Sequence, residues 1–544
     1  MNLFARSLMV LVLLFGLVFA VGAGVLYYYD FPLSWALGFT LGIVALQFIL
    51  GPYIIDWIYK INWYEPAQVA PEFDEFLRGL CKKRGIPVPR FGIIEDGNPN
   101  AFTYGHFPGN ARLVVTRGIM QMLDKEEYEA VVAHEIGHIT HYDFVVMTLA
   151  SLAPALLYIL YRWSIRQRRG GGAPALAVAI GAFVCYYFSQ YIVLFLSRIR
   201  EYFADEHASI SIPNPNAIAT ALVKIGYGLA RIQDPAQQAA VQGKKKQQPL
   251  FNKSQMMGSL GICSFSSATP MALYSTTASG QFSMDQMLRA MQWDLWNPWA
   301  RWFEIQSTHP LIARRIRATS WTAKRLGMEP AFPMTAAPKQ VPWTAFMTDL
   351  AFLMLPWAGI AFGLIFGIGY DLRTPGNMLN GSNVLSRWAL IPLLGGIGWL
   401  VRLAYTYGKE FGHRVIADLV GELEVSHIRC IPVELDGQII GRGVPGLFWS
   451  KDLVFQDETG FITLIYRQPF GFLDTLFGLF KAEHLVGKKG RVKGWYRRGP
   501  APYVELSSAR FEDGDSTTCY YPASLWASAI LATAAGILLY FVRF

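Results

Sequence analysis

Residues Tyr128–Asp143 read YEAVVAHEIGHITHYD, and within them His134, Glu135 and His138 form an H-E-x-x-H pattern. Two histidines four apart on a helix project from one face, so both imidazoles can reach a single metal ion. Zinc is the usual occupant of such a site, and a carboxylate beside the first histidine can take a proton from an activated water. The flanks are helical. Asp124 supplies a cap, Glu127 completes a capping box, and Val131, Val132 and Ala133 carry an apolar run into the motif. The competing interpretation is a buried helix whose histidines only hydrogen-bond, so a third ligand must be sought elsewhere.

The stretch Arg200–His207 offers it. Glu201 and Asp205 are four apart and share a helical face, one able to ligate and the other to orient a ligand. Glu206 and His207 are competing donors that spacing alone leaves open. His141 lies one turn beyond the histidine pair and is expected to stay off the metal.

Composition sets the surroundings. Hydrophobic residues make up 53% of the 544 and charged residues only 16%, which points to a membrane protein. Seven segments approach the roughly 20 apolar residues that cross a bilayer. They are Leu8–Val25, Leu33–Ile55, Phe144–Tyr161, Ala177–Ser197, Leu350–Tyr370, Trp388–Tyr405 and Ala523–Val542. The first leads straight into the second without a clear cleavage site, so it is expected to remain as an anchor. His138 precedes the third segment and Glu201 follows the fourth. Two crossings or none return the chain to one side, which a shared metal site requires.

Lys82, Lys83, Arg84, Arg90 and Lys244–Lys246 favour a cytoplasmic site, although Arg162, Arg166, Arg168 and Arg169 in the intervening loop pull the other way. The net charge of +9 is attributed to topology and anionic headgroups, with no nucleic acid expected. The five scattered cysteines suggest neither a disulfide framework nor a thiolate metal site.

Four separated pieces now stand in order: Asn100-Ala101-Phe102-Thr103-Tyr104-Gly105, the H-E-I-G-H motif, Arg200–Asp205, and Ser307-Thr308-His309-Pro310 leading to Arg315-Ile316. In these the chain resembles the HtpX-type membrane zinc metalloproteases, relatives of the CAAX prenyl endopeptidases, from about Gly51 to Ala318. The resemblance implies His134, His138 and Glu201 as ligands of one zinc ion per chain, Glu135 as general base, and Asp205 as the carboxylate holding a ligand histidine. It also implies that His309 and Arg315 approach the substrate or the oxyanion. By their own pattern, Phe102–Tyr104 and Leu113–Thr116 flank the turn residues Pro108-Gly109-Asn110 as a β-hairpin. In similar proteases an edge strand here pairs with the substrate backbone, which makes Asn100, Ala101, Phe102 and Thr103 substrate-binding candidates. Pro310 is expected to start a helix with His309 before it and Arg315 within.

Beyond the protease, Gln233–Gln255 reads as an exposed insertion. Gly421–Ser426, Ile431–Ile440, Leu453–Tyr466, Gly490–Tyr496 and Tyr503–Ala509 read as five strands, with a turn at Asp457–Gly460, and suggest an OB-like barrel. Its basic residues (Lys488, Lys489, Arg491, Lys493, Arg497, Arg498) fit a membrane-tethered module with a regulatory partner better than nucleic-acid binding. The apolar stretch Gly471–Phe480 is expected to touch the membrane surface.

The expected fold is thus mainly α and polytopic, with a gluzincin-like helical protease core, a small β-hairpin and a C-terminal five-stranded OB-like barrel. Its order is a transmembrane hairpin (1–60), two halves of the zinc protease domain (61–143 and 199–325) around a helical hairpin (144–198), a transmembrane hairpin (345–406), the β domain (410–518) and a final transmembrane helix (521–544). The expected function is a zinc endopeptidase of the plasma or inner membrane, acting on membrane proteins in quality control. The rivals are an intramembrane protease, disfavoured because charged residues flank the motif, and a non-enzymatic scaffold or transporter with a structural metal.

Overall fold

Long apolar runs dictate most of the architecture. The computed structural model describes residues 33–541 except 98, 167, 232–283, 334–336, 339, 374–387, 443–449 and 500. The expected span Leu8–Val25 and insertion Gln233–Gln255 lie outside the described residues. The described residues fall into two units, one built from residues up to 229 with 302–334, the other chiefly from 270–301 with 335–544.

In the first unit, helix α1 (Leu33–Tyr59) leads into a sheet of β1 (Asn62–Tyr64), β2 (Arg90–Ile94), β3 (Ala101–Tyr104) and β4 (Arg112–Thr116). Their order is β1-β2-β4-β3. The expected hairpin forms, with Thr103 opposite Leu113. Its turn is tightened by Asn110, whose Oδ1 accepts from the backbone N–H groups of His106 (2.9 Å) and Phe107 (3.0 Å). The sheet is larger than that hairpin, because β2 adds to β4 in parallel and β1 adds to β2. Phe102, Tyr104, Val114 and Ile94 bury one side of it against Tyr59 and Ile61. Strand β3 is left at the edge.

Helix α2 (Lys125–Thr140) carries the H-E-x-x-H motif and starts at a formed Asp124–Glu127 capping box. Tyr142, at φ 57°, turns the chain through a left-handed step into α3 (Asp143–Arg166). That helix packs against α4 (Arg168–Ser211) through Ala150, Ala153 and Leu196. No break separates the expected span Ala177–Ser197 from Glu201: one 44-residue helix carries both. Helix α5 (Ile312–Arg325) completes the unit. It begins two residues after Pro310, with His309 before it and Arg315 inside.

In the second unit, α6 (Trp343–Arg373), α7 (Leu390–Thr406) and a final helix are packed by glycines. A methyl group on Gly359 would lie 2.6 Å from Leu394 O, and one on Gly363 would lie 2.8 Å from Ile391 N. Such close backbone approach is how small residues hold helices together in lipid. Asp349 of α6 is fully buried and satisfied: it accepts from Trp299 Nε1 (3.0 Å), Tyr405 OH (2.6 Å), Ser426 Oγ (2.7 Å) and Arg429 Nε (3.1 Å).

The β domain is a closed ring of β5 (Ile431–Arg442), β6 (Leu453–Gln456), β7 (Phe461–Ile465), β8 (Lys489–Arg498) and β9 (Pro502–Phe511). Neighbours run β5-β6-β7-β9-β8 and back to β5, and the β7–β9 contact is parallel. Two expected strands change. Leu453–Tyr466 is a hairpin of two strands, because Asp457 Oδ1 accepts from the N–H groups of Thr459 (2.7 Å) and Gly460 (2.8 Å) and folds the chain back. Gly421–Ser426 is no strand. Ser426 Oγ instead closes a turn with the N–H groups of Ile428 (3.0 Å) and Arg429 (2.9 Å). The strand gained offsets the strand lost, so the ring still has five.

Most of the basic residues are neutralised within this domain. Arg491 pairs with Glu434 and Asp436, Lys493 with Glu434, Arg497 with Glu505, and Lys488 with Asp513 and Asp515. Helix α8 (Gly471–Phe480) bridges β7 and β8, and α9 (Tyr521–Phe541) ends the described chain. Among the described residues, four helices are long and apolar enough to cross a membrane: Asp143–Ile165, Leu176–Ser211, Trp343–Gly369 and Tyr521–Phe541. Helix α7 has 17 residues, short of the roughly 20 that a straight span uses.

Candidate active site

Helices α2 and α4 cross where neither carries bulk. A Cβ on Gly137 would lie 3.2 Å from the His207 side chain and 3.3 Å from Ala204 Cα, so glycine lets the two backbones approach. This crossing puts Glu201 over the two imidazoles. His134 Nε2 and His138 Nε2 are 3.2 Å apart, and the Glu201 oxygens stand 3.8 Å from the first and 3.7 Å from the second. Metal bonds of zinc length in a tetrahedron put donors roughly 3.4 Å apart, so the three groups fit such an ion. Among the described residues, this trio is the cluster of histidine, cysteine or carboxylate donors with metal-site spacing. The alternatives are occupied elsewhere. Glu206 pairs with Arg325 at 2.5 Å, and His207 Nδ1 donates to Ala133 O at 3.0 Å.

Each histidine of the trio is backed by a carboxylate. Asp205 Oδ1 lies 3.0 Å from His134 Nδ1, and Asp143 Oδ2 lies 2.6 Å from His138 Nδ1. Such partners set the ring orientation and leave the other nitrogen for the metal. Both carboxylates are themselves paired. Arg315 grips Asp205 through Nε (2.8 Å) and Nη2 (2.7 Å), and its Nη1 reaches Glu201 Oε2 at 3.2 Å. Arg200 pairs with Asp143 and donates to His141 O at 2.9 Å. Buried charge is costly unless paired, and here each one is.

Asp143 and Arg200 were not anticipated as site residues. A carboxylate five positions after His138 cannot share its helical face. It reaches the ring because the helix stops and Tyr142 turns the chain back. The signal available was the helix stop itself, a charged His-Tyr-Asp step at the end of an apolar run. Arg315 is 1% exposed, with its guanidinium engaged by two carboxylates. His309 stands nearer the rim, its Nδ1 3.3 Å from Glu201 Oε1. His141 caps α2, edge-on to His207 with ring centroids 5.8 Å apart, and burial pushes its imidazole down to about 4.

Glu135 is 3% exposed and faces the sheet. Thr103 Oγ1 donates to Glu135 Oε2 at 3.0 Å, so the edge strand and the candidate base are in direct contact. Asn100 anchors the start of that strand, with its N–H on Thr116 Oγ1 (2.8 Å) and its carbonyl taking Thr116 N–H (2.9 Å). Ala101 and Phe102 are buried. At the strand's other end, Tyr104 hydrogen-bonds Asp56 of α1, and burial with that carboxylate raises the phenol well above its usual pKa.

Comparison with known proteins identifies the family. The family model described as Peptidase family M48 matches residues 67–322, which takes in every site residue named above except Asp56. A protein named Protease HtpX homolog from Methanothermobacter thermautotrophicus is 38% identical over 231 residues, 42% of this chain and 87% of the relative. One of the same name from Aeropyrum pernix is 29% identical over 299 residues, covering 53% and 86%. Among solved structures, S. mikatae Ste24p aligns over 58% of this chain and 64% of its own, with a TM-score of 0.33 and 16% identity. The chain belongs to peptidase family M48 as an HtpX-type metalloprotease, a multi-pass membrane hydrolase of polypeptides.

Proposed function

We propose that this protease is zinc-dependent, with one ion held by His134, His138 and Glu201 in a gluzincin-like arrangement, and that it removes damaged or misassembled membrane proteins. The observation that carries the metal assignment is the convergence of two imidazole nitrogens and one carboxylate at spacings a tetrahedral ion would take. Zinc, when bound, supplies Lewis acidity toward the scissile carbonyl. The protein's own groups do the rest. Glu135 takes a proton from the attacking water and delivers it to the leaving amine nitrogen. Asp205 and Asp143 hold the two ligand rings. Arg315 is a positioning residue that fixes Asp205 and Glu201, which leaves His309 as the side chain to meet charge developing on the carbonyl oxygen.

Substrate binding is assigned to β3. An extended peptide would add to this edge as a further strand, and backbone pairing of that kind tolerates many sequences, as removal of varied substrates requires. The basic residues flanking the site, Lys82, Lys83, Arg84 and Arg90, favour a cytoplasmic catalytic face. The ring order of the C-terminal strands, with a helix between the third and fourth, supports an OB-like barrel. Metal analysis of the purified protein tests the central claim. Wild type should carry one zinc per chain, and Glu201→Ala should lose both zinc and peptide cleavage. Cleavage by a metal-free Glu201→Ala protein would end the proposal.

A further inference from the structure

Helix α8 is built inside out for a protein surrounded by water. Its one carboxylate, Asp474, points inward and is buried, where it pairs with Lys451 and accepts from Gln468 N–H at 2.7 Å. Phe477 also faces in, stacked on Tyr466 with centroids 3.6 Å apart and planes 8° from parallel. The outward side is apolar. Phe472 is 63% exposed and Phe480 78%, with Phe470, Leu476 and Leu479 exposed beside them. A contiguous apolar face on a helix this firmly held signals a surface meant to be covered.

The position of the helix identifies the cover. Gln468, two residues before Phe470, donates through Nε2 to Thr518 O (2.8 Å), and its Oε1 accepts from Tyr520 N–H (3.2 Å). Thr518 and Tyr520 lie within three residues of the start of Tyr521–Phe541, a helix long and apolar enough to cross a membrane. Arg467 stands over the ring of Tyr521, 5.5 Å from its centroid. At the far end of α8, Lys481 Nζ donates to Ser516 O at 2.8 Å. The helix is therefore held at both ends to the chain segment that leads into the apolar span. Cations stand at both of its ends, where anionic headgroups would meet them.

We propose that α8 is an interfacial anchor, lying in the plane of the bilayer surface with Phe470, Phe472, Leu476, Leu479 and Phe480 among the lipid chains. It fixes the barrel at the membrane through a third point besides α7 and α9. The occupant of this face is lipid, continuous with the lipid around Tyr521–Phe541. The proposal does not depend on the metal or on the peptidase chemistry.

Photo-crosslinking in the full-length protein tests it. p-Benzoylphenylalanine would replace Phe472, Phe480 or Glu458 one at a time, with the protein in vesicles of phosphatidylcholine and phosphatidylglycerol. Glu458 is an exposed polar residue in the β6–β7 turn, at the opposite end of β7 from α8. Both phenylalanines are already exposed and aromatic, so the replacements should fold. Lipid adducts at the two phenylalanine positions should exceed those at Glu458 by roughly tenfold, as burial among acyl chains requires. Adducts to a second copy or to other protein, or lipid adducts no more frequent than at Glu458, would overturn the assignment.

Discussion

Strand β3 ends its sheet with one side unpaired and with Thr103 against Glu135, whereas every strand of the C-terminal ring has a neighbour on each side. An unpaired edge invites other chains to add to it, and proteins commonly blunt or cover such edges. Here the ring removes its edges by closing, while the protease unit keeps one open beside its candidate base. The difference teaches that edge exposure is local and chemical in this molecule. The open edge sits among buried, paired charges, and the closed ring encloses an apolar core of Val433, Leu435, Phe455, Leu464, Val492 and Leu506.

The sharpest way to break this contrast is to remove the chemistry from the open side. Glu135→Gln should lower peptide cleavage by about 10²–10⁴-fold, the range for losing a general base, and leave bound metal unchanged. A variant that still cuts at the wild-type rate would separate the edge from catalysis altogether. Next in size, Asp143→Asn should weaken zinc binding by roughly 10–100-fold, because it loosens the hold on His138 and removes the negative charge facing Arg200. Competition against a chelator reads this directly, and unchanged affinity would show the 2.6 Å contact to be idle. Thr103→Val keeps the strand and its shape but deletes the hydroxyl that touches Glu135. A net hydrogen bond of about 0.5–1.5 kcal/mol predicts a loss of cleavage of a few-fold to about tenfold, with metal content intact.

The last test touches stability and leaves cleavage alone, and it belongs to the second unit. Burial pushes His427 down to about 4, edge-on to the Trp299 ring with centroids 4.4 Å apart. In the unfolded chain a histidine titrates near 6.5, so between about 6.5 and 4 the unfolded state binds the extra proton. This contribution to the stability of the second unit is complete above about pH 6.5 and is lost as pH falls toward 4. Thermal unfolding of wild type and His427→Phe across that range measures it. Parallel pH dependence in the two proteins would refute the assignment.

Legibility in the sequence followed distance along the chain. The convergence of His134, His138 and Glu201 was readable because the two histidines share one helical face and Glu201 sits in a motif of its own. Strand β3 was readable from its β-branched and aromatic partners and the turn at Pro108–Asn110. Asp143 was not, because its contact with His138 depends on a left-handed step at Tyr142 that periodicity does not encode. Arg315 looked like a group for substrate, but its contacts with Asp205, 110 positions away, and with Glu201 belong to tertiary packing. The strands β1 and β2 were missed because short apolar runs such as Arg90–Ile94 resemble core of any kind. In the barrel, Leu453–Tyr466 was counted as one strand, although the turn read at Asp457–Gly460 lies inside it and is formed. Asp457 divides it.

The uninterrupted length of α4 has a mechanical consequence. A rigid helix advances about 1.5 Å and turns about 100° per residue, so the membrane segment and Glu201 are geared together. Inserting a single residue between Ser197 and Glu201 would swing the Glu201 carboxylate about 100° off the imidazoles while lifting it hardly at all. Four residues, close to one full turn, would restore its bearing at a new height. The helix works as a threaded shaft, on which the bearing of Glu201 is fixed by its distance from the apolar segment.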